Sequence, residues 1–201
     1  MKIVLADYGA GNLRSVSSAL ARAGAGAETI ISPDPAALRE ADLAVIAGVG
    51  HLAACAEGLE KTGLAEALRE RVESDRPVLG ICVGLQMLFD ESEEGGRGLG
   101  FFSGSVVRLQ ARRVPHMGWN TLSVRGNPSI LDGLDGEDVY FAHSFSARPV
   151  EELPGAEVDH GGPIVAAVER GALAGVQFHP ERSAQPGARL LRNVLRWSKS
   201  V

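Results

Sequence analysis

The window Pro77-Val78-Leu79-Gly80-Ile81-Cys82-Val83-Gly84-Leu85-Gln86 restricts the fold more than any other part of the chain. An apolar strand runs into an apolar helix there, and one cysteine sits between two glycines. This spacing is that of a nucleophile elbow, a tight strand-to-helix turn that carries a reactive side chain at its tip. Gly80 and Gly84 remove the Cβ atoms that would clash inside such a turn. The N-terminus of the following helix points at the sulfur, and its partial positive charge favours thiolate. A buried structural cysteine in a plain strand-to-helix turn is the other reading of this window. The rest of the chain has to decide between them.

The flanking pattern predicts what surrounds the elbow. Residues 3–6 read as a buried strand ending at Asp7-Tyr8-Gly9, and 12–23 as an amphipathic helix with Leu13, Val16 and Leu20 on one face. Residues 28–32 form a second strand, and Pro33-Asp34-Pro35 turns into a short helix. Residues 43–47 form a third strand closed by Gly48-Val49-Gly50, 64–72 a helix, and 78–82 the fourth strand. This alternation predicts an α/β fold, a three-layer sandwich with a central, mostly parallel sheet flanked by helices. After Glu94 the pattern changes. Residues 99–109, 121–124, 139–143, 164–168 and 173–178 read as strands with little helix between them, and 187–197 as a last helix. A smaller antiparallel or mixed sheet is therefore expected in the C-terminal half. With 201 residues, no internal repeat and no long linker, residues 1–201 are expected to form a single domain. Function in such sheets gathers at the carboxyl ends of the strands, where Asp7-Tyr8-Gly9, Gly48-Val49-Gly50 and Cys82 converge.

Composition narrows the function classes. Net charge is −5, which disfavours a nucleic-acid surface and offers no polybasic membrane patch. Two cysteines, Cys55 and Cys82, make no disulfide framework, the N-terminal apolar run is too short for a signal peptide, and no run reaches membrane-spanning length. A cytoplasmic protein is expected. The five histidines are scattered without metal-ligand spacing. Gly9-Ala10-Gly11 lacks the third glycine of a dinucleotide fingerprint, Arg14 standing in its place, and no Walker-type loop occurs. No metal and no cofactor are expected.

A cysteine nucleophile needs a base, and the base an orienting group. His179 lies in Val176-Gln177-Phe178-His179-Pro180-Glu181. If the strand runs on in extended form, Glu181 projects to the same side and contacts one imidazole nitrogen while the other faces a thiol. Alone, His-x-Glu reads as a surface pair; with the elbow it suggests a Cys82-His179-Glu181 triad. Acyl transfer also needs two backbone N–H groups aimed at the developing oxyanion. Val83 supplies one, and Val49 or Gly50 in the glycine loop the other. Residue chemistry alone favours Trp119 as a core aromatic, Met117-Gly118-Trp119-Asn120 as a packed loop, His143 and His160 as ordinary histidines, Cys55 as inert and 90–94 as a solvated helix end and loop.

Gly80-Ile81-Cys82-Val83-Gly84-Leu85-Gln86 together with Phe178-His179-Pro180-Glu181 resembles the triad class of glutamine amidotransferases. Asp7-Tyr8-Gly9-Ala10-Gly11-Asn12-Leu13, Pro115-His116-Met117-Gly118-Trp119-Asn120 and Phe141-Ala142-His143-Ser144-Phe145 are similar to the branch of that family that serves histidine biosynthesis. The resemblance implies glutamine hydrolysis through a thioester on Cys82, with His179 as acid and base and Glu181 holding it. It implies that Gly50, Gln86, Ser144 and Phe145 lie around bound glutamine. It also implies a heterodimer in which ammonia passes to a cyclase subunit making imidazole glycerol phosphate, with Asn12, Met117, Gly118, Trp119, Asn120 and Arg182 facing that partner. Ala47 stands where the branch has proline, which frees φ before the glycine loop. Phe145 replaces tyrosine and Arg182 replaces lysine. The competing expectations are a glutaminase for another synthase, such as that for pyridoxal phosphate, and a nonenzymatic cysteine-based sensor or binding protein.

Overall fold

In the computed structural model, residues 1–24 and 26–201 are described. The N-terminal half runs β1 (Lys2–Ala6), α1 (Leu13–Ala23), β2 (Glu28–Ser32), α2 (Pro35–Glu40), β3 (Leu43–Gly48), α3 (Leu52–Thr62), α4 (Leu64–Glu73), β4 (Val78–Cys82) and the one-turn α5 (Val83–Gln86). The C-terminal half runs β5 (Glu91–Ser92), β6 (Gly104–Arg108), β7 (His116–Thr121), β8 (Ser123–Arg125), β9 (Asp138–His143), β10 (Phe145–Pro149), β11 (Gly155–Asp159), β12 (Pro163–Arg170), β13 (Leu173–Val176) and α6 (Ala184–Trp197). Single 3-10 turns occupy Ser129–Leu131 and Pro180–Arg182.

The main sheet has the order β2-β1-β3-β4-β13-β12-β11-β8. Pairing is parallel from β2 to β13 and antiparallel from β13 to β8. Right-handed crossovers put α1 on one face of the sheet and α2 to α4 on the other, because β1 to β2 steps one way and β2 to β3 to β4 the other. Helix α6 packs on α1 and completes the first face. Strands β3 and β4 are buried along their whole length, as continuous apolar runs require when helices cover both faces.

The C-terminal strands do more than make a separate small sheet. Four of them extend the main one, while β10-β6-β5 and β7-β9 form two small sheets of their own. Several local expectations shift. Only Gly104–Arg108 of the strand expected over 99–109 is extended. The strand expected over 121–124 is divided between the end of β7 and β8, and β10 and β11 lie where the sequence pattern predicts no strand. Helix α3 has no counterpart among the expected elements, because its alanines and Gly58 give a weak apolar signal. A Cβ at Gly58 would lie 2.5 Å from the Tyr8 carbonyl oxygen, so small residues let this helix pack against the end of β1. Among the described residues, no helix is long and apolar enough to cross a membrane.

Candidate active site

Cys82 ends β4 with φ 56° and ψ −110°, a left-handed conformation that non-glycine residues rarely adopt. The two glycines enforce it. A Cβ at Gly84 would sit 1.9 Å from the Ile46 carbonyl oxygen, and one at Gly80 would meet the Gly84 carbonyl group at 2.6 Å. The helix beyond the elbow is one turn long. Its dipole is accordingly smaller than a full helix would supply, and the electrostatics of the sulfur rest more on its neighbours. Val83 opens that turn, so its N–H has no carbonyl partner within the helix.

Strand register brings the other segments to the same edge. Gly48 pairs with Cys82, and Val176 with Ile81. The chain leaves β13, bends at Gln177 and Phe178, and after His179 folds into the 3-10 turn that carries Glu181. Glu181 thus reaches His179 from a turn and not from a continued strand. Its Oε1 lies 3.0 Å from Nδ1 of His179, and both side chains are buried. Burial opposes a charge on that imidazole, but Cys82 and Glu181 together outweigh it and raise the pKa to about 10. The charged form of the ring is therefore favoured beside Cys82 and Glu181. The amide Nε2 of Gln177 is also aligned on the Cys82 sulfur at 3.7 Å, and Gln177 is fully buried. Gln177 was not singled out from the sequence, although in an extended chain it shares a side with His179.

A cavity of about 470 Å³ opens over Cys82. Val49, Gly50, Val83, Gln86, Ser144 and Phe145 all line it. The glycine loop is held at two points. The Tyr8 hydroxyl donates to the Ala47 carbonyl at 2.8 Å, and the Cys55 thiol to the Val49 carbonyl at 3.8 Å. Tyr8 thus restrains the loop entrance where proline is absent. A Cβ at Gly48 would lie 2.6 Å from the Tyr8 hydroxyl, which explains glycine there. Glu94 also lines the cavity. It accepts the Leu52 N–H at 2.9 Å and pairs with His51 at 2.9 Å, so it belongs to the site rather than to a solvated run. Segment 90–94 contains β5, not a helix end. Arg108 lines the same cavity, its guanidinium 5.8 Å from the Phe145 ring centroid. Among the described residues, no group of three or more His, Cys, Asp or Glu side chains could hold a metal ion.

The segment expected as a packed loop is the regular strand β7, paired with β9. Met117 and Trp119 point outward, 66% and 53% exposed, so Trp119 is not a core aromatic. Trp119 meets Tyr140 edge-on at 6.0 Å, and Arg182 stacks over the same Tyr140 ring at 4.5 Å. Asn12 is exposed at the start of α1, without a side-chain capping bond. Gly118 and Asn120 fall on the opposite side of β7 from Trp119, and Asn120 bonds inward to His116.

This geometry agrees with the comparisons to known proteins. The family model described as glutamine amidotransferase class-I matches residues 4–197. The chain belongs to the class-I glutamine amidotransferase family. Within the family its relatives are specific. It is 44% identical to imidazole glycerol phosphate synthase subunit HisH of Rhodospirillum rubrum, covering 98% of this chain and 100% of that one. It is 42% identical to the chloroplastic imidazole glycerol phosphate synthase hisHF of Arabidopsis thaliana over 96% of this chain and 34% of that protein. Similarity at this level over the full length groups this amidotransferase with the HisH subunits, not with a pyridoxal phosphate enzyme or a sensor. A crystal structure of a glutamine amidotransferase superposes with TM-score 0.77 at 21% identity over 98% of both chains, which matches the fold.

Proposed function

We propose that this chain hydrolyses glutamine to glutamate and ammonia through Cys82, His179 and Glu181. The ammonia then passes to a cyclase subunit that makes imidazole glycerol phosphate and an aminoimidazole carboxamide ribonucleotide in histidine biosynthesis. The observation that carries this reading is a strained elbow cysteine beside a buried imidazole whose charged form Glu181 and the sulfur favour. A nonenzymatic protein has no use for that arrangement.

Each step follows from the residues in place. The Cys82 thiolate attacks the side-chain amide carbon of glutamine, forming a C–S bond. Negative charge moves to the amide oxygen, where the N–H of Val83 and one from Val49 or Gly50 receive it. The C–N bond then breaks as His179 gives its proton to the departing nitrogen. The neutral imidazole next takes a proton from water, and the resulting hydroxide attacks the thioester. The C–S bond breaks, glutamate leaves and the thiolate returns. Glu181 keeps the ring oriented throughout. Glu94 and Arg108 give the cavity one charge of each sign, which suits the ammonium and carboxylate of an amino acid, and Gln86, Ser144 and Phe145 close around it.

Residues 1–201 are read as one amidotransferase domain, supported by a shared hydrophobic core and the family match over 4–197. The exposed Met117 and Trp119, with Asn12 and Arg182, are assigned to the cyclase interface, and Gly118 and Asn120 support that strand from its other side. The longer Arabidopsis relative, of which this chain covers only 34%, supports a synthase with a further part. Two free thiols, one of which must stay reduced to act, support a cytoplasmic location.

The test is covalent labelling with a glutamine-like electrophile, read by mass spectrometry. The label is expected on Cys82 and not on Cys55. Cys82→Ala is expected to abolish glutamine-dependent synthesis by the complex while ammonia-dependent synthesis continues. Full glutamine-dependent activity in that variant would remove the assignment.

A further inference from the structure

A continuous run of hydrogen bonds connects strand β7 to the nucleophile. His116 and His143, facing each other across the β7–β9 pair, are both buried. Nδ1 of His143 lies 2.8 Å from the Phe145 carbonyl oxygen. That oxygen only accepts, so Nδ1 carries the proton, and in the neutral ring Nε2 is bare. Nδ1 of His116 lies 3.0 Å from that bare nitrogen and must donate to it. The remaining Nε2 of His116 then accepts from the Asn120 amide at 3.2 Å. Asn120 is itself oriented, its nitrogen bonding the Asp159 carbonyl and its oxygen accepting the Thr121 N–H. Every tautomer in the run is thereby assigned by its partners. Burial lowers the pKa of both rings to about 4, which keeps them neutral at physiological pH.

The Phe145 carbonyl is the node. Its second lone pair takes a bond from Nε2 of Gln86, at 2.8 Å. The same nitrogen donates to Gln177, and Gln177 to the Cys82 sulfur. Phe145 also begins β10, one residue after β9 ends, so Ser144 alone carries the chain from one small sheet to another. A one-residue switch between sheets is free to rotate its peptides unless something fixes them. The His143 side chain spans that switch, from residue 143 to the carbonyl of residue 145.

We propose that His143 is a positioning residue for glutamine. With its donor nitrogen selected by His116, it locks the Ser144–Phe145 corner and, through the shared carbonyl, the amide of Gln86 in the cavity beside Cys82. His143 touches no reacting atom in this role; it sets the shape of the substrate wall. His116 and Asn120 link that wall to the strand whose outer face carries Met117 and Trp119. The inference rests on the glutaminase reading above.

The test compares side chains that keep one ring nitrogen each, in the complex with the cyclase. Asparagine places its N–H near the Nδ1 position and glutamine near Nε2, while glutamine is the closer to histidine in size. If the two histidines serve only as packing, glutamine is the better replacement. If the bond to Phe145 matters, asparagine is. His143→Gln is expected to raise KM for glutamine about tenfold or more while kcat falls less, as loss of a ground-state positioning bond does. His143→Asn is expected to bring KM back to within about threefold of the unsubstituted complex. The same order is expected one step upstream, with His116→Asn closer to the parent than His116→Gln, which covers the case in which one position does not tolerate substitution. Equal KM in the Asn and Gln variants at both positions, or Gln the better replacement, overturns the proposal. Absence of glutamine turnover in the unsubstituted complex would instead overturn the glutaminase reading.

Discussion

Cys82 holds a backbone conformation that costs about 1–3 kcal/mol for a non-glycine residue and survives only where its surroundings leave no alternative. Gly84 is the clearest part of that constraint, because an added methyl would overlap the Ile46 carbonyl. Gly84→Ala is expected to lose about 3 kcal/mol or more in urea unfolding. A midpoint and slope equal to the parent's would contradict so close a contact. The charge on His179 is a second residue-scale matter. Burial opposes it, and the Cys82 and Glu181 contacts sustain it. Glu181→Gln keeps the shape and removes one of the two supports, so the imidazole pKa falls. The alkaline limb of kcat/KM is then expected to move to lower pH, with kcat down about tenfold to a hundredfold. An unmoved limb would place the titrating group elsewhere. These residues were legible in the sequence because the elbow is local. Two glycines, a cysteine and a His-x-Glu pair state their chemistry within a few positions. The buried Gln177 and half-buried Glu94 are harder to see, since nothing in a lone Gln or an acidic run shows which face it will line.

At the scale of elements, the informative case is β7. Its period-2 alternation is inverted relative to a half-buried strand, with His116 inside and Met117 and Trp119 outside. Apolar residues that face outward carry no signal of the core they avoid, so the sequence reads there as a loop. Trp119→Ala is expected to weaken cyclase binding about tenfold or more while the unfolding midpoint of the isolated chain moves little. Titration of the variant against the cyclase checks the first, a thermal melt the second. Helix α3 and the glycine loop supply the other case. Tyr8→Phe removes the donor to the buried Ala47 carbonyl. A loss of about 1–3 kcal/mol is expected, together with slower glutamine turnover as the loop entrance loosens. A variant of unchanged stability and rate would show that the loop is held without Tyr8. From the sequence, Ala47 in place of proline suggested a freer loop. The compensating hydroxyl comes from the end of another strand, which no local pattern reveals.

For the whole molecule, acid is the expected weak point. His116 and His143 titrate near 4 when folded, against 6.5 for a solvated histidine, because burial disfavours their charge, as do the neighbouring ring of His160 and, for His143, those of His116 and His179. Between those values the unfolded chain binds more protons, so stability rises with pH there. The contribution is present above about pH 6.5 and is lost as pH falls toward 4, on the order of 3 kcal/mol per ring. Thermal melts across that window are expected to show a falling midpoint that flattens in a variant lacking both imidazoles. An equally steep fall in that variant would assign acid sensitivity to other groups. The sequence by itself determined the α/β alternation, the parallel start of the sheet and which three residues are proposed as the triad, since periodicity and an elbow are encoded by near neighbours. Only the tertiary structure decided that the C-terminal strands extend the same sheet, that Glu181 arrives on a turn, and that a pair of histidines joins β7 to the wall of the cavity over Cys82. Those outcomes depend on hydrogen bonds between residues far apart in the chain, and their partners become known only when strand order and register bring them together.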